Sequence, residues 1–124
     1  FGCLTILAQD EVGGLDIRQV DGTWITASPR PDTLVINLGD MLELWTGHYF
    51  LATPHRVRSP RGASTRYSIP FFFEPDLDTV VTPIAPESLP PFEREPSHIP
   101  PLDSILYGQH MLKAFHRSYP GIAP

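Results

Sequence analysis

The sequence predicts a mainly β fold, an antiparallel sandwich or jelly roll followed by one α-helix, on three observations. Short runs of apolar and β-branched residues recur through the first two-thirds of the chain, separated by Gly, Pro and Asp-Gly turn signals. An acidic, proline-dense stretch then interrupts any regular structure. Beyond it the apolar residues return at helical spacing.

Leu4-Thr5-Ile6-Leu7 is the first strand, and Gly13-Gly14 breaks the chain before a second strand carried by Leu15, Ile17 and Val20. Asp21-Gly22 predicts a type I′ hairpin turn, with Thr23-Trp24-Ile25-Thr26 returning. Pro29 and Pro31 form a loop, and Thr33 to Leu38 has the continuous apolar character of a buried strand. Met41 to Thr46 suits a helical turn or a short strand, and Gly47-His48 a turn. Strands are then predicted at His55-Arg56-Val57-Arg58, Thr65 to Phe73 and Thr79 to Ile84. A helix is expected over Ser104 to Tyr119, with Ile105, Leu106, Leu112 and Phe115 on its apolar side and Met111 beside them. Asp103 or Ser104 would cap it, and Pro120-Gly121 would stop it.

Composition narrows the class of function. The chain has 124 residues, 41% of them apolar, which is one domain with enough apolar material for a core. Its net charge of −5 argues against a grip on nucleic-acid phosphates or a basic membrane patch. A lone cysteine, Cys3, cannot make an internal disulfide, and no apolar run reaches the length of a membrane span. A cytoplasmic setting is the expectation. Composition shifts near Glu74, and with the last predicted strand the body covers residues 1–82, a Pro-rich wrap or linker 83–102, and the helix and tail 103–124.

Five histidines are candidates for a metal or a general base. His98 lies among prolines and reads as a solvated loop residue, while His110 and His116 read as helix-surface or packing residues. His48, beside Gly47, reads as exposed rather than ligating. His55 differs because it opens a strand after Pro54. Arg66 and Ser68, two residues apart on a later strand, point to one face. A guanidinium and a hydroxyl on one face make a carboxylate clamp. An inward arginine serves equally well in a structural ion pair.

Five segments in order decide between these readings: Leu4-Thr5-Ile6-Leu7-Ala8-Gln9-Asp10, Val12-Gly13-Gly14-Leu15, Asn37-Leu38-Gly39-Asp40, His55-Arg56-Val57 and Arg66-Tyr67-Ser68. Together they resemble the C-terminal half of the isopenicillin N synthase-like 2-oxoglutarate/Fe(II) dioxygenases, from Phe1 to about Pro75, and Tyr107-Gly108 resembles the start of the helix that follows the family's jelly roll. The resemblance implies a partial double-stranded β-helix (jelly roll) and a non-haem Fe(II) centre. It also implies 2-oxoglutarate as co-substrate, O2, and a small organic substrate, with succinate and CO2 released. By the same resemblance His55 is a metal ligand, and Arg66 and Ser68 hold the far carboxylate of 2-oxoglutarate. Phe72 and Glu74 match positions that line the substrate pocket in some relatives.

The family's other two ligands form a His-x-Asp pair placed just before the residue matching Phe1, and no His-x-Asp occurs in this sequence. The expectation is therefore the C-terminal part of a longer oxygenase, inactive alone and needing the N-terminal part of the same enzyme. The rival expectation is a non-catalytic jelly-roll module that binds an anion or a protein partner, having lost its metal.

Overall fold

The computed structural model describes residues 2–59, 65–91 and 103–121. In chain order the elements are β1 (Leu4–Gln9), β2 (Leu15–Arg18), β3 (Trp24–Thr26), β4 (Val35–Leu38), α1 (Asp40–Trp45), β5 (His55–Val57), β6 (Ser68–Phe73), β7 (Val80–Val81), β8 (Ile105–Leu106) and α2 (Tyr107–Ser118). A 3-10 turn occupies Pro86–Ser88.

Among the described residues two three-stranded antiparallel sheets carry the body, in the orders β4-β1-β6 and β3-β2-β5, and β7 pairs with β8 separately. In the first sheet Thr5 lies opposite both Asn37 and Phe72, Leu7 opposite Val35 and Pro70, and Gln9 opposite Ser68. These residues share one face, because side chains alternate along a strand and opposed residues point the same way. Two contacts show that this face looks toward the second sheet. The Gln9 amide reaches the Ala27 carbonyl at 3.5 Å, and the Asn37 amide lies 3.4 Å from His55 Nδ1.

The other face of the first sheet is apolar and open. Ile36, Ile69, Phe71 and Phe73 are each more than half exposed there. The buried core is small and sits at the end of this sheet, where Cys3, Met41, Val81 and Tyr107 meet, flanked by Leu4, Leu42, Ile105 and Met111. Met41 is fully buried, which for a methionine is worth about 1.5–3 kcal/mol. The Asn37-Leu38-Gly39-Asp40 segment serves this end. Gly39 N–H donates to the Cys3 carbonyl (2.9 Å) and Met41 N–H to the Gly2 carbonyl (3.1 Å), so α1 starts stitched to β1.

Several expectations from the sequence change. The hairpin at Asp21-Gly22 is real, but only Gly22 has a positive φ (+86°), so the turn is not type I′. Gly22 N–H bonds the Gln19 carbonyl and Gln19 N–H bonds the Thr23 carbonyl, a three-residue loop whose left-handed position falls to glycine. Val20 belongs to this loop and is fully exposed, not to the second strand. Thr33 to Leu38 shortens to β4, an edge strand with Ile36 exposed instead of a buried one. The segment from Met41 is helical. The C-terminal helix begins at Tyr107, not Ser104, because Ile105–Leu106 first pair with β7. Among the described residues no side chain caps it, and its buried residues are Tyr107 and Ala114, with Leu112 and Phe115 on the outside. Part of the expected Pro-rich wrap, including His98, lies outside the described residues.

On the outward face of the second sheet Asp16 is only 3% exposed. Arg58 grips it with two bonds, Nε to Oδ2 at 2.6 Å and Nη2 to Oδ1 at 2.9 Å, and the Thr26 hydroxyl adds a third at 3.0 Å. Arg56 stands behind, its guanidinium 4.1 Å from the centre of the Trp24 ring. The Arg58 bonds hold the Asp16 carboxyl down at about 2, from the ordinary 3.8. Between those values the unfolded chain binds the proton that the folded one refuses, so stability from Asp16 is present above about pH 4 and lost as pH falls toward 2. Asp16→Asn should therefore lower the thermal midpoint near neutral pH, with the gap from wild type closing between pH 4 and pH 2. Thermal unfolding followed by circular dichroism across that range checks it.

Candidate active site between the two sheets

The corner joining β1 to β2 builds the site. Asp10 accepts Val12 N–H on Oδ1 (3.1 Å) and Tyr67 N–H on Oδ2 (2.5 Å), while Asp10 N–H bonds the Tyr67 carbonyl. Gly13 and Gly14 follow with φ of +73° and +91°, a conformation that side chains disfavour. A β-carbon at Gly14 would also stand 2.7 Å from the Arg58 carbonyl oxygen. These two glycines aim their carbonyls in useful directions. That of Gly13 takes Arg66 Nε at 2.6 Å, and that of Gly14 takes Arg58 N–H at 2.8 Å.

Arg66 is thereby held by its Nε, and its Nη1 donates to Ser68 Oγ at 2.6 Å. Its Nη2 is shielded from solvent and has no partner among the described residues. A buried donor left unmet costs about 1–3 kcal/mol, and more for a charged one. Ser68 Oγ accepts from Arg66, so its own proton stays available to donate. The pair thus presents N–H and O–H donors together, with a positive charge and no counter-ion among the described residues, on the face that looks toward the second sheet. A carboxylate meets every one of those needs.

His55 opens β5 opposite Ile17, and its ring reaches across to Asn37 on the first sheet. Its Nδ1 lies 3.1 Å from the Thr53 carbonyl, which can only accept, so Nδ1 carries the proton. The Asn37 Nδ2 contact at 3.4 Å is the longer of the two, and the shorter bond to Thr53 leaves Nε2 with the free lone pair. A neutral imidazole anchored to a backbone carbonyl through one nitrogen is suited to bind a metal through the other. Among the described residues no cluster of three His, Cys, Asp or Glu converges to hold a metal, so His55 fits as one ligand of a set completed from elsewhere.

Phe72 lies on the same face as Ser68, in the row Asn37–Thr5–Phe72, and is half exposed. Glu74 sits just beyond β6, packed over Gly2, where a β-carbon would come within 2.7 Å of its Cγ. Burial, then the Glu74 carboxylate beside it, push the Tyr107 hydroxyl well above its ordinary range, and the same two causes raise the Cys3 thiol. His48 corrects the reading from sequence, being partly buried and bonded to Glu43 at 2.7 Å, whereas His110 is the helix-packing residue expected, with a bond to Asp40 at 3.2 Å. A cleft of about 530 Å³ opens beside the corner, lined by Val12, Ser28, Pro29, Arg58 and Ser59 among others, and takes in none of the candidate residues. Asp10, Gly13, Thr53 and Asn37 act on the site through backbone or second-partner contacts, and their only trace in sequence is membership of the matched segments or closeness to them.

Comparison with known proteins agrees with this geometry. Residues 1–75 match the family model described as the 2OG-Fe(II) oxygenase superfamily. A 1-aminocyclopropane-1-carboxylate oxidase of Dictyostelium mucoroides is 37% identical over 97% of this chain and 34% of its own length. A homoarginine-6-hydroxylase of Oryza sativa subsp. japonica is 36% identical over 91% of this chain and 33% of its own. The crystal structure of a full-length Neurospora crassa protein, in complex with alpha-KG and thymine, superposes with a TM-score of 0.76 at 29% identity, over 96% of this chain and 35% of that one. The chain spans about a third of the length of the relatives it matches. Its two sheets are thus part of the jelly roll those structures share, and the chain belongs to the 2OG-Fe(II) oxygenase superfamily.

Proposed function

We propose that these residues form the C-terminal part of a non-haem Fe(II), 2-oxoglutarate-dependent oxygenase that oxidises a small organic molecule. The shielded Nη2 of Arg66, without a partner among the described residues, beside the free proton of Ser68 carries this reading. A guanidinium kept out of solvent without a counter-ion is costly unless an anion completes it. The relatives named above, an oxidase and a hydroxylase, support catalysis over a non-catalytic binding module.

In this reading Arg66 and Ser68 hold the far carboxylate of 2-oxoglutarate, and His55 Nε2 supplies one ligand to the iron. Bound iron would supply the activation of O2 coupled to oxidative decarboxylation of the co-substrate. That chemistry would release succinate and CO2 and oxidise the substrate. The chain's own contribution is placement. Gly13 and Asp10 fix the clamp, Thr53 fixes the His55 tautomer, and Phe72 lines the space between the sheets. Glu74 packs over Gly2 beside Tyr107 and would touch substrate only from that end of the sheet.

The remaining two ligands would come from sequence preceding Phe1, in line with the third of the relatives' length that is covered. The same missing part would cover the open apolar face of Ile36, Ile69, Phe71 and Phe73, which is expensive to leave in water.

The direct test is anaerobic titration of the complete oxygenase with Fe(II) and then 2-oxoglutarate. A weak visible charge-transfer band is expected, followed by substrate-dependent succinate release once O2 is admitted. His55→Ala should abolish both, whereas retained iron stoichiometry with normal succinate release would remove His55 from the ligand set. Arg66→Lys keeps the charge but loses the planar two-point geometry. Losing a charge-assisted hydrogen bond costs about 1.5–3 kcal/mol, so the KM for 2-oxoglutarate should rise roughly ten- to a hundredfold with metal affinity unchanged. Residues 1–124 alone should bind iron only weakly, since one imidazole cannot hold Fe(II) against water. Micromolar or tighter iron binding by the isolated segment, measured by chelator competition, would refute that expectation.

A further inference from the structure

We propose that Glu43 is a positioning residue for His55, acting through the backbone of Ala52 and Thr53; this rests on the reading of His55 as a metal ligand. Glu43 lies on α1 and spends both carboxylate oxygens on the loop that leads to β5. Oε1 lies 2.7 Å from His48 Nδ1, and Oε2 accepts Ala52 N–H at 2.6 Å. His48 N–H also bonds the Glu43 carbonyl at 2.8 Å, and Phe50 N–H bonds Thr46 Oγ1 at 3.2 Å. The whole loop therefore hangs from the last turn of α1.

The next three residues are fixed in sequence. Ala52 is held by Glu43, and the Pro54 carbonyl takes Arg18 N–H at 2.9 Å. Thr53 lies between, restricted to extended backbone because a proline follows it. Its carbonyl is the acceptor that orients His55 Nδ1 at 3.1 Å. The Glu43 carboxylate is thus the side-chain anchor of the peptide that sets the tautomer and direction of the imidazole. Without it Ala52 N–H loses its acceptor, and the Thr53 carbonyl that guides the ring is held only from the Pro54 side. Removing the partner that orients a metal-ligating imidazole typically changes metal affinity by about 10–100-fold, and Glu43 acts on that partner, the Thr53 carbonyl.

The turn at His48 explains why the anchor is a carboxylate. His48 has a φ of +63°, in the left-handed region that a side chain disfavours, and its pairing with Glu43 Oε1 holds it there. One carboxylate can serve the imidazole and the amide together, whereas a neutral amide side chain offers a single oxygen.

The complete oxygenase, freed of metal, is titrated with Co(II), a redox-silent probe read by its visible absorption. Glu43→Ala should raise the Co(II) Kd about 10–100-fold, with kcat at saturating metal and the KM for 2-oxoglutarate near wild type. Glu43→Gln should recover most of the affinity, because its one carbonyl oxygen can still accept Ala52 N–H. An unchanged Kd in Glu43→Ala, or a Gln variant no better than Ala, overturns the proposal. If Glu43→Ala does not fold, Glu43→Asp takes its place. Its carboxylate is one methylene too short to span both partners, and an unchanged Kd again overturns the proposal. His55→Ala separates the two claims. If it too leaves Co(II) binding intact, the ligand reading fails along with the positioning role; if it abolishes binding while Glu43→Ala does not, only the positioning role fails.

Discussion

The corner between β1 and β2 is the constraint on which this structure turns. There the chain leaves one sheet and enters the other within five residues, and its polar groups are put to use along the way. The Asp10 carboxylate fixes the backbone beside Arg66 and its own turn, the Gly13 carbonyl aims the guanidinium, and the Gly14 carbonyl holds the end of β5 through Arg58. Positive φ at both glycines is what allows two successive carbonyls to diverge toward different sheets. The close approach of Arg58 leaves no room for a side chain at Gly14 even if its backbone could be strained. Sheet spacing and clamp geometry are set by the same few bonds.

The two halves of the site are held by different means. At Arg66 the anchors are strong, short and charge-assisted, and they leave one guanidinium nitrogen unmet among the described residues in a place shielded from water. At His55 the imidazole is exposed, and its orientation comes from a backbone carbonyl whose neighbours on both sides are held. A charged clamp tolerates little motion because its partner must be met in two places. A single metal ligand needs mainly the right nitrogen facing inward. The outward Asp16–Arg58 pair stiffens the strand behind His55 without joining the site, since alternation puts Arg56 and Arg58 on the opposite face from His55 and Val57.

Much of this was legible in the residues themselves. Alternation along Arg66 and Ser68 placed both on one face, and Pro54 before His55 marked an extended entry to a strand. The succession of strands, the helix at the C-terminus and the family all followed from short apolar runs between turn signals and from five ordered segments. What local pattern could not supply were the partners distant in sequence. Nothing near His48 announces Glu43 and Ala52 as a clamp, and nothing near Thr33 to Leu38 tells an edge strand from a buried one, because burial depends on which strands lie alongside. The helix start slipped from Ser104 to Tyr107 for the same reason. Ile105 and Leu106 have a partner in β7, and a ladder of backbone bonds outweighs the local preference for an early cap.

The sequence by itself therefore determined the fold class, the family and the residue types fit for the chemistry, because periodicity and chemical identity are local properties of a chain. Only the tertiary structure decided which nitrogen of His55 faces away from Thr53, which nitrogen of Arg66 has no partner among the described residues, and which carboxylates hold the frame around them. The frame rests on hydrogen bonds between residues far apart in the chain, 42 positions for Arg58 and Asp16 and 53 for Arg66 and Gly13. Such bonds exist only once the strands and corner that carry these groups have come together, since in water each of those groups would be satisfied by solvent.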